Sequence, residues 1–132
     1  MKIWVDDIRP APKGYEWCKS VNETIKLIED TEKCIDRCMN RGHNCFLNRD
    51  YAGRSIAYAA ANDIDIQIID LDHDAGEFSP DGGDYIKILD WLEETGRNYP
   101  IRLHTMNSVG RENMRRIIQK NNWTEVNSMT FL

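Results

Sequence analysis

The stretch Ile64-Asp65-Ile66-Gln67-Ile68-Ile69-Asp70-Leu71-Asp72-His73-Asp74-Ala75-Gly76 constrains the fold more than any other part of the chain. Its isoleucine-rich run, residues 66–71, is short and β-branched, the composition of a strand buried on both faces of a parallel sheet. It ends abruptly in carboxylate, imidazole and carboxylate. Whatever follows such a strand emerges at the sheet's carboxyl edge, where open α/β folds place their ligands. Two carboxylates flanking a histidine are costly there unless they meet a metal, a substrate or a proton. The plainer reading is that Asp72 and Asp74 cap the next helix or close an Asx turn.

Around this strand the chain alternates. Residues 2–5 predict a first strand with Asp6 and Asp7 at its end, and Pro10, Pro12 and Gly14 mark a loop. Residues 15–19 suit a second short strand. Ser20 and Glu23 form a capping box, and Val21, Ile25 and Ile28 mark one face of a helix to about Asp30. Residues 31–48 are polar and read as an insertion; residues 49–62 read as a helix again. After the central strand comes a loop over 77–83. Asp84 then caps a helix with Tyr85, Ile88, Leu89 and Leu92 on one face, which Gly96 stops. Residues 101–105 form another strand. A last helix over 108–121 turns Met114, Ile117 and Ile118 inward, and residues 128–132 have room for a closing strand. The pattern predicts an α/β fold: a doubly wound, mainly parallel sheet of about five strands with helices on both faces. With no repeat and no linker, residues 1–132 read as one domain with an insertion at about 31–48.

Composition narrows the partners. A net charge of -5 argues against binding duplex DNA or a membrane surface, though a local basic cluster can still hold a small anion. No apolar run reaches the ~20 residues that span a bilayer. The opening Met1-Lys2-Ile3-Trp4-Val5 runs straight into aspartates and is not a signal peptide, so a cytoplasmic protein is expected. Cys34, Cys38, His43 and Cys45 sit within twelve positions and admit a structural zinc. Their spacing is not that of the usual paired knuckles, and buried thiols in a reducing compartment are the preferred reading. Trp4, Trp17, Trp91 and Trp123 read as core, although one at a rim could stack a nucleobase.

Three strands end in reactive residues: Asp6 and Asp7; Asp72, His73 and Asp74; and His104, Thr105 and Asn107. A parallel sheet brings these ends to one edge. Carboxylates clustered there attract a hard divalent cation, magnesium or manganese. The helix opening at Ser108, with Gly110 and Arg111, offers free amides to an anion. Together these pieces suggest chemistry on a phosphoester.

The same residues resemble the response-regulator receiver domain, in which an acid pair binds magnesium, a central Asp accepts a phosphoryl group and a Thr contacts it. Asp6-Asp7, Asp72 and Thr105 stand at those places. The match is closer to a divergent branch, the cyclic-phosphate-processing receiver-like domains. Met1-Lys2-Ile3-Trp4-Val5-Asp6-Asp7-Ile8-Arg9-Pro10-Ala11-Pro12, Leu71-Asp72-His73-Asp74-Ala75-Gly76 and His104-Thr105-Met106-Asn107-Ser108-Val109-Gly110-Arg111-Glu112-Asn113-Met114 are similar to its signature pieces. A signalling receiver ends its last strand with a lysine, usually before a proline. Residues 121–132 contain neither, so Asp72 is not expected to relay a phosphoryl signal.

The resemblance implies a metal-assisted phosphodiesterase that opens a cyclic phosphate. Asp6, Asp7 and Asp72 would hold one magnesium or manganese ion, and His73 and His104 would share the acid and base roles beside Asp74. Asn107 and the amides from Ser108 to Gly110 would stabilise developing charge, Thr105 would contact the phosphoryl group, and Arg9 and Arg111 would clamp its oxygens. The expected partner is a small cyclic nucleotide or a cyclic-phosphate-ended RNA, and self-association is possible. Two alternatives stand beside this: a binder that sequesters a cyclic nucleotide, and a degenerate receiver used for protein interaction.

Overall fold

A computed structural model describes residues 1–41 and 65–127, with side chains through Cys34 in the first segment. Four short strands, β1 (Lys2–Val5), β2 (Tyr15–Cys18), β3 (Ile68–Leu71) and β4 (Ile101–Leu103), form a parallel sheet in the order β2-β1-β3-β4. A parallel bridge from Ile101 to Glu125 places residues 124–126 beside β4, in the position of a fifth strand. That gives the 2-1-3-4-5 order of receiver-like α/β folds. The closing strand expected over 128–132 lies outside the described residues.

Strand alternation sorts the side chains. Ile3 and Val5 of β1, Ile69 and Leu71 of β3 and Ile101 of β4 point to one face and are fully buried. They meet the apolar stripes of three helices: α1 (Val21–Arg41) through Leu27 and Ile28, α2 (Ile86–Thr95) through Ile88, Leu89 and Leu92, and α3 (Ser108–Lys120) through Met114 and Ile118. The helices pack side by side, α1 on α2 and α2 on α3, so among the described residues all three share that face. The second helix expected over 49–62 lies outside the described residues. No helix among the described residues is long and apolar enough to cross a membrane.

Two local expectations are corrected. Helix α1 does not stop near Asp30 but runs to Arg41, because no glycine or proline interrupts residues 31–41. Its polar second half is anchored by Glu32, which accepts a forked pair of bonds from Arg97 and one from Tyr99 Oη. Asp84 does not cap α2, whose N-cap is Tyr85 without a side-chain bond. Asp84 instead accepts from the Ala75 amide at 3.0 Å, bracing the loop after β3. The capping box at α1 forms in altered form: Ser20 Oγ accepts from the Glu23 amide, while Glu23 reaches back to the amide of Lys19. Gly96 ends α2 as expected, in the left-handed conformation at φ 70°.

Candidate functional site

The sheet's other face carries a polar column. Trp4, Asp70 and Arg102 stand in register across β1, β3 and β4. Two residues on, where the strands end, Asp6, Asp72 and His104 continue the same face. The inward-facing carboxylate of Asp70 is wholly buried and receives Arg102 Nη1 at 3.0 and 3.2 Å.

His104 sits between two carboxylates. Its Nδ1 lies 2.7 Å from Asp70 Oδ1 and its Nε2 lies 2.8 Å from Asp6 Oδ2. The ring stacks on Trp4 at 3.8 Å and 4°, and its side chain is 4% exposed. Each ring nitrogen thus has one carboxylate partner, and both of those acids are buried. Asp6 is buried, which by itself would raise its pKa. The amides of Ile8 and Arg9, donating at 2.9 Å, and the bond and charge of His104 outweigh burial and hold it below the ordinary value.

Asp6, Asp72 and His104 each offer a ligand atom within 4.8 Å of the other two, and could hold a metal ion. That separation is about the span of two metal–ligand bonds of ~2.0–2.4 Å, and the donor set of two carboxylates and an imidazole is chemically sound. Asp7 stands beside them. Burial raises its pKa, and the charges of Asp6 and Asp72 raise it further. Gly76, at φ 54°, lies against the Asp7 carboxylate where a Cβ would collide with it.

His73 belongs to a second group. Its Nδ1 lies 2.8 Å from Asp74 Oδ1 and 3.4 Å from Asn107 Nδ2, and its amide donates to Asp72 Oδ1. The ring rests on Gly110 in the first turn of α3, where a Cβ would come within 2.5 Å of ring carbons. Asn107 is the N-cap of α3, its Oδ1 accepting from the Gly110 amide at 2.9 Å. Nε2 of His73 and the amides of Ser108 and Val109 have no partner among the described residues.

The remaining candidates are engaged locally. The buried Thr105 hydroxyl accepts from the Asn107 amide. Arg111 donates to the Thr105 carbonyl, and Arg9 Nη1 donates to the His104 carbonyl at 3.2 Å. Both arginines thus brace backbone at the site's edge. For the zinc cluster, Cys34 is buried in α1, whereas the side chain of Cys38 and residues His43 and Cys45 lie outside the described residues.

With this geometry in view, the chain's likeness to known families can be placed. The model of the cyclic-phosphate processing receiver domain matches residues 1–39 and 36–120. The chain belongs to that family. Neither the curated proteins nor the solved structures compared with it gave a significant match. In this receiver the strand ends carry Asp6, Asp72 and His104 to one place, as the alternation of strands and reactive ends anticipates. Two residues escaped sequence reasoning, Asp70 and Arg102. The signal was present: each is a charge inside an otherwise apolar strand, and a buried charge requires a partner on the neighbouring strand.

Proposed function

We propose that this receiver domain opens a cyclic phosphate by metal-assisted phosphodiester hydrolysis, on a cyclic nucleotide or a 2′,3′-cyclic end. The observation that carries the reading is that the two strand-end histidines, at one edge of the sheet, have different environments. His104 is locked between acids beside the candidate metal ligands. His73 keeps one nitrogen unpartnered, next to Asp72 and the opening turn of α3.

A divalent ion at Asp6, Asp72 and His104 would supply Lewis-acid polarisation of a phosphoryl oxygen. The chain's own groups do the rest. His73, oriented through Nδ1 by Asp74, takes a proton from attacking water at Nε2 as the new P–O bond forms; the ring P–O bond breaks and its alkoxide takes a proton from solvent. The free amides of Ser108 and Val109, with the positive end of the α3 dipole, receive the phosphate oxygens. Arg9 and Arg111 add positive potential at the rim while holding the His104 and Thr105 carbonyls. The three exposed apolar side chains at these loops, Ile8, Met106 and Val109, suit the uncharged part of such a ligand.

One observation favours a second reading, a binder that sequesters an unchanged cyclic nucleotide. Of these two imidazoles only His73 is open to a ligand, so an acid–base pair would need a second group. Incubation of the chain with excess cyclic nucleotides and 2′,3′-cyclic-ended oligonucleotides, with and without manganese, followed by mass spectrometry, separates the two. Hydrolysis predicts a product 18 Da heavier, beyond one equivalent, abolished by a chelator and lowered about 10²–10⁴-fold in His73→Ala. Recovery of every ligand unchanged would end the catalytic reading.

A further inference from the structure

We infer that Asp70 is a positioning residue for His104, and that the nitrogen it presents makes the Asp6–Asp72–His104 cluster selective for an imidazole-accepting first-row divalent ion, of the cobalt and zinc class, over magnesium. The inference rests on the metal-dependent reading above and adds the identity of the ion and a residue that selects it.

Asp70 is 0% exposed and cannot move, since β3 is paired on both sides and Arg102 holds both carboxylate oxygens. Its Oδ1, 2.7 Å from Nδ1 of His104, keeps a proton on that nitrogen. Nε2, the nitrogen that faces Asp6 and Asp72, is then the one that can exchange its bond to Asp6 for a metal ion. Trp4, stacked at 3.8 Å, fixes the plane of the ring, and its own Nε1 donates to the Arg9 carbonyl. A carboxylate behind a histidine in this way sets the tautomer and strengthens the nitrogen as a ligand. Magnesium takes oxygen ligands and sheds water reluctantly, whereas imidazole suits the later first-row metals. Three carboxylates alone would suit magnesium; two carboxylates and an oriented imidazole do not.

The test uses the full chain, stripped with a chelator and carrying 15N-histidine, titrated with Zn2+, Co2+ or Mg2+ alone. Binding is read at the His104 resonances, assigned with His104→Gln, so any ion held elsewhere does not count. The inference expects Zn2+ to move Nε2 of His104 while Nδ1 keeps its proton, and Co2+ to bind at least about 100-fold more tightly than Mg2+. Asp70→Asn should weaken Co2+ binding about 10–100-fold and Mg2+ binding less than about 3-fold. An Nε2 resonance indifferent to Zn2+ and Co2+, or an Asp70→Asn variant that weakens both ions equally, would overturn it. Should Asp70→Asn fail to fold, the wild-type spectra decide alone. Ion binding through Nε2 without turnover removes the hydrolytic reading and leaves this inference standing; turnover with an unmoved Nε2 does the reverse.

Discussion

The contact between His73 and Gly110 allows a test in which one substitution changes sign with its background. Gly110 occupies the third position of α3 and has an ordinary helical backbone. Alanine there should gain helix propensity, at most about 1 kcal/mol and less so near a helix end. Against this, its Cβ would sit 2.5 Å from Cγ and Cδ2 of His73, so the ring must retreat about 0.9 Å to reach the 3.4 Å of ordinary contact. Nδ1 is held by Asp74 at 2.8 Å, and overpacking of this kind costs about 1–3 kcal/mol. The clash wins by roughly 1–2 kcal/mol, a fall in Tm of about 3–8 °C for a domain of this size. In a His73→Ala background the clash is gone and only the propensity remains. Gly110→Ala should then stabilise by about 0.5 kcal/mol. Urea unfolding of the four proteins closes the cycle, whose coupling energy reports this contact alone. Equal effects of Gly110→Ala in both backgrounds would refute the reasoning, as would a stabilised single variant. Any turnover of a cyclic phosphate should fall with it, by about 10²-fold if a 1 Å misplacement of His73 matters as elsewhere.

Other expectations are separable from that contact. Glu32 has its pKa held below 4.5 because the bonds from Arg97 and Tyr99 outweigh burial. Its stabilising effect is therefore complete above pH 4.5 and fades as pH falls through the lowered value; Glu32→Gln should cost stability at pH 7 and progressively less below pH 4.5, read by urea unfolding across that range. Asp7 has the opposite sign: burial and the charges of Asp6 and Asp72 raise its pKa, so Asp7→Asn should stabilise the metal-free chain at neutral pH, with the gain shrinking as pH falls toward 3.8. A divalent ion at the cluster should raise Tm with concentration, by about 2.7 kcal/mol of stability at one hundred times its Kd, and Asp6→Asn should abolish that rise in a thermal-shift titration. Asn107→Ala removes the N-cap of α3 and should cost about 1 kcal/mol by chemical denaturation.

Much of the fold was legible because each signal was local and repeated. Short apolar stretches ending in reactive residues marked β1, β3 and β4, and the periodic faces of residues 86–95 and 108–120 marked two helices. The end of α1 was not legible, because Glu32 reads as solvent-facing until Arg97 and Tyr99, more than sixty residues away, are seen to meet it. The site divides in the same way. That Asp6, Asp72 and His104 share an edge follows from parallel strands alone. That His104 is enclosed and His73 is not depends on partners across the sheet, Asp70 and Trp4 for one and Gly110 for the other, which no spacing along the chain encodes. Arg9 and Arg111 look like phosphate clamps in sequence; in three dimensions each first satisfies a carbonyl.

The enclosure of His104 has a topological cause. Parallel neighbours such as β1 and β2 ordinarily need a crossover of a dozen or more residues, often a helix. Here nine residues, 6–14, make the crossing. A connection that short has to lie tight against the carboxyl end of the sheet, and two prolines limit how it can bend. Two indoles pin it, Trp17 Nε1 donating to the Asp6 carbonyl and Trp4 Nε1 to that of Arg9. Pinned there, its amides at Ile8 and Arg9 close on Asp6 Oδ1, and the Arg9 guanidinium reaches the His104 carbonyl. The strap therefore orients the acid, and the acid with Asp70 orients the imidazole, before any ligand arrives. His73 follows a different strand and leans on α3, outside the strap's reach. The short crossing thus fixes one histidine as part of the frame and leaves the other for whatever enters the site.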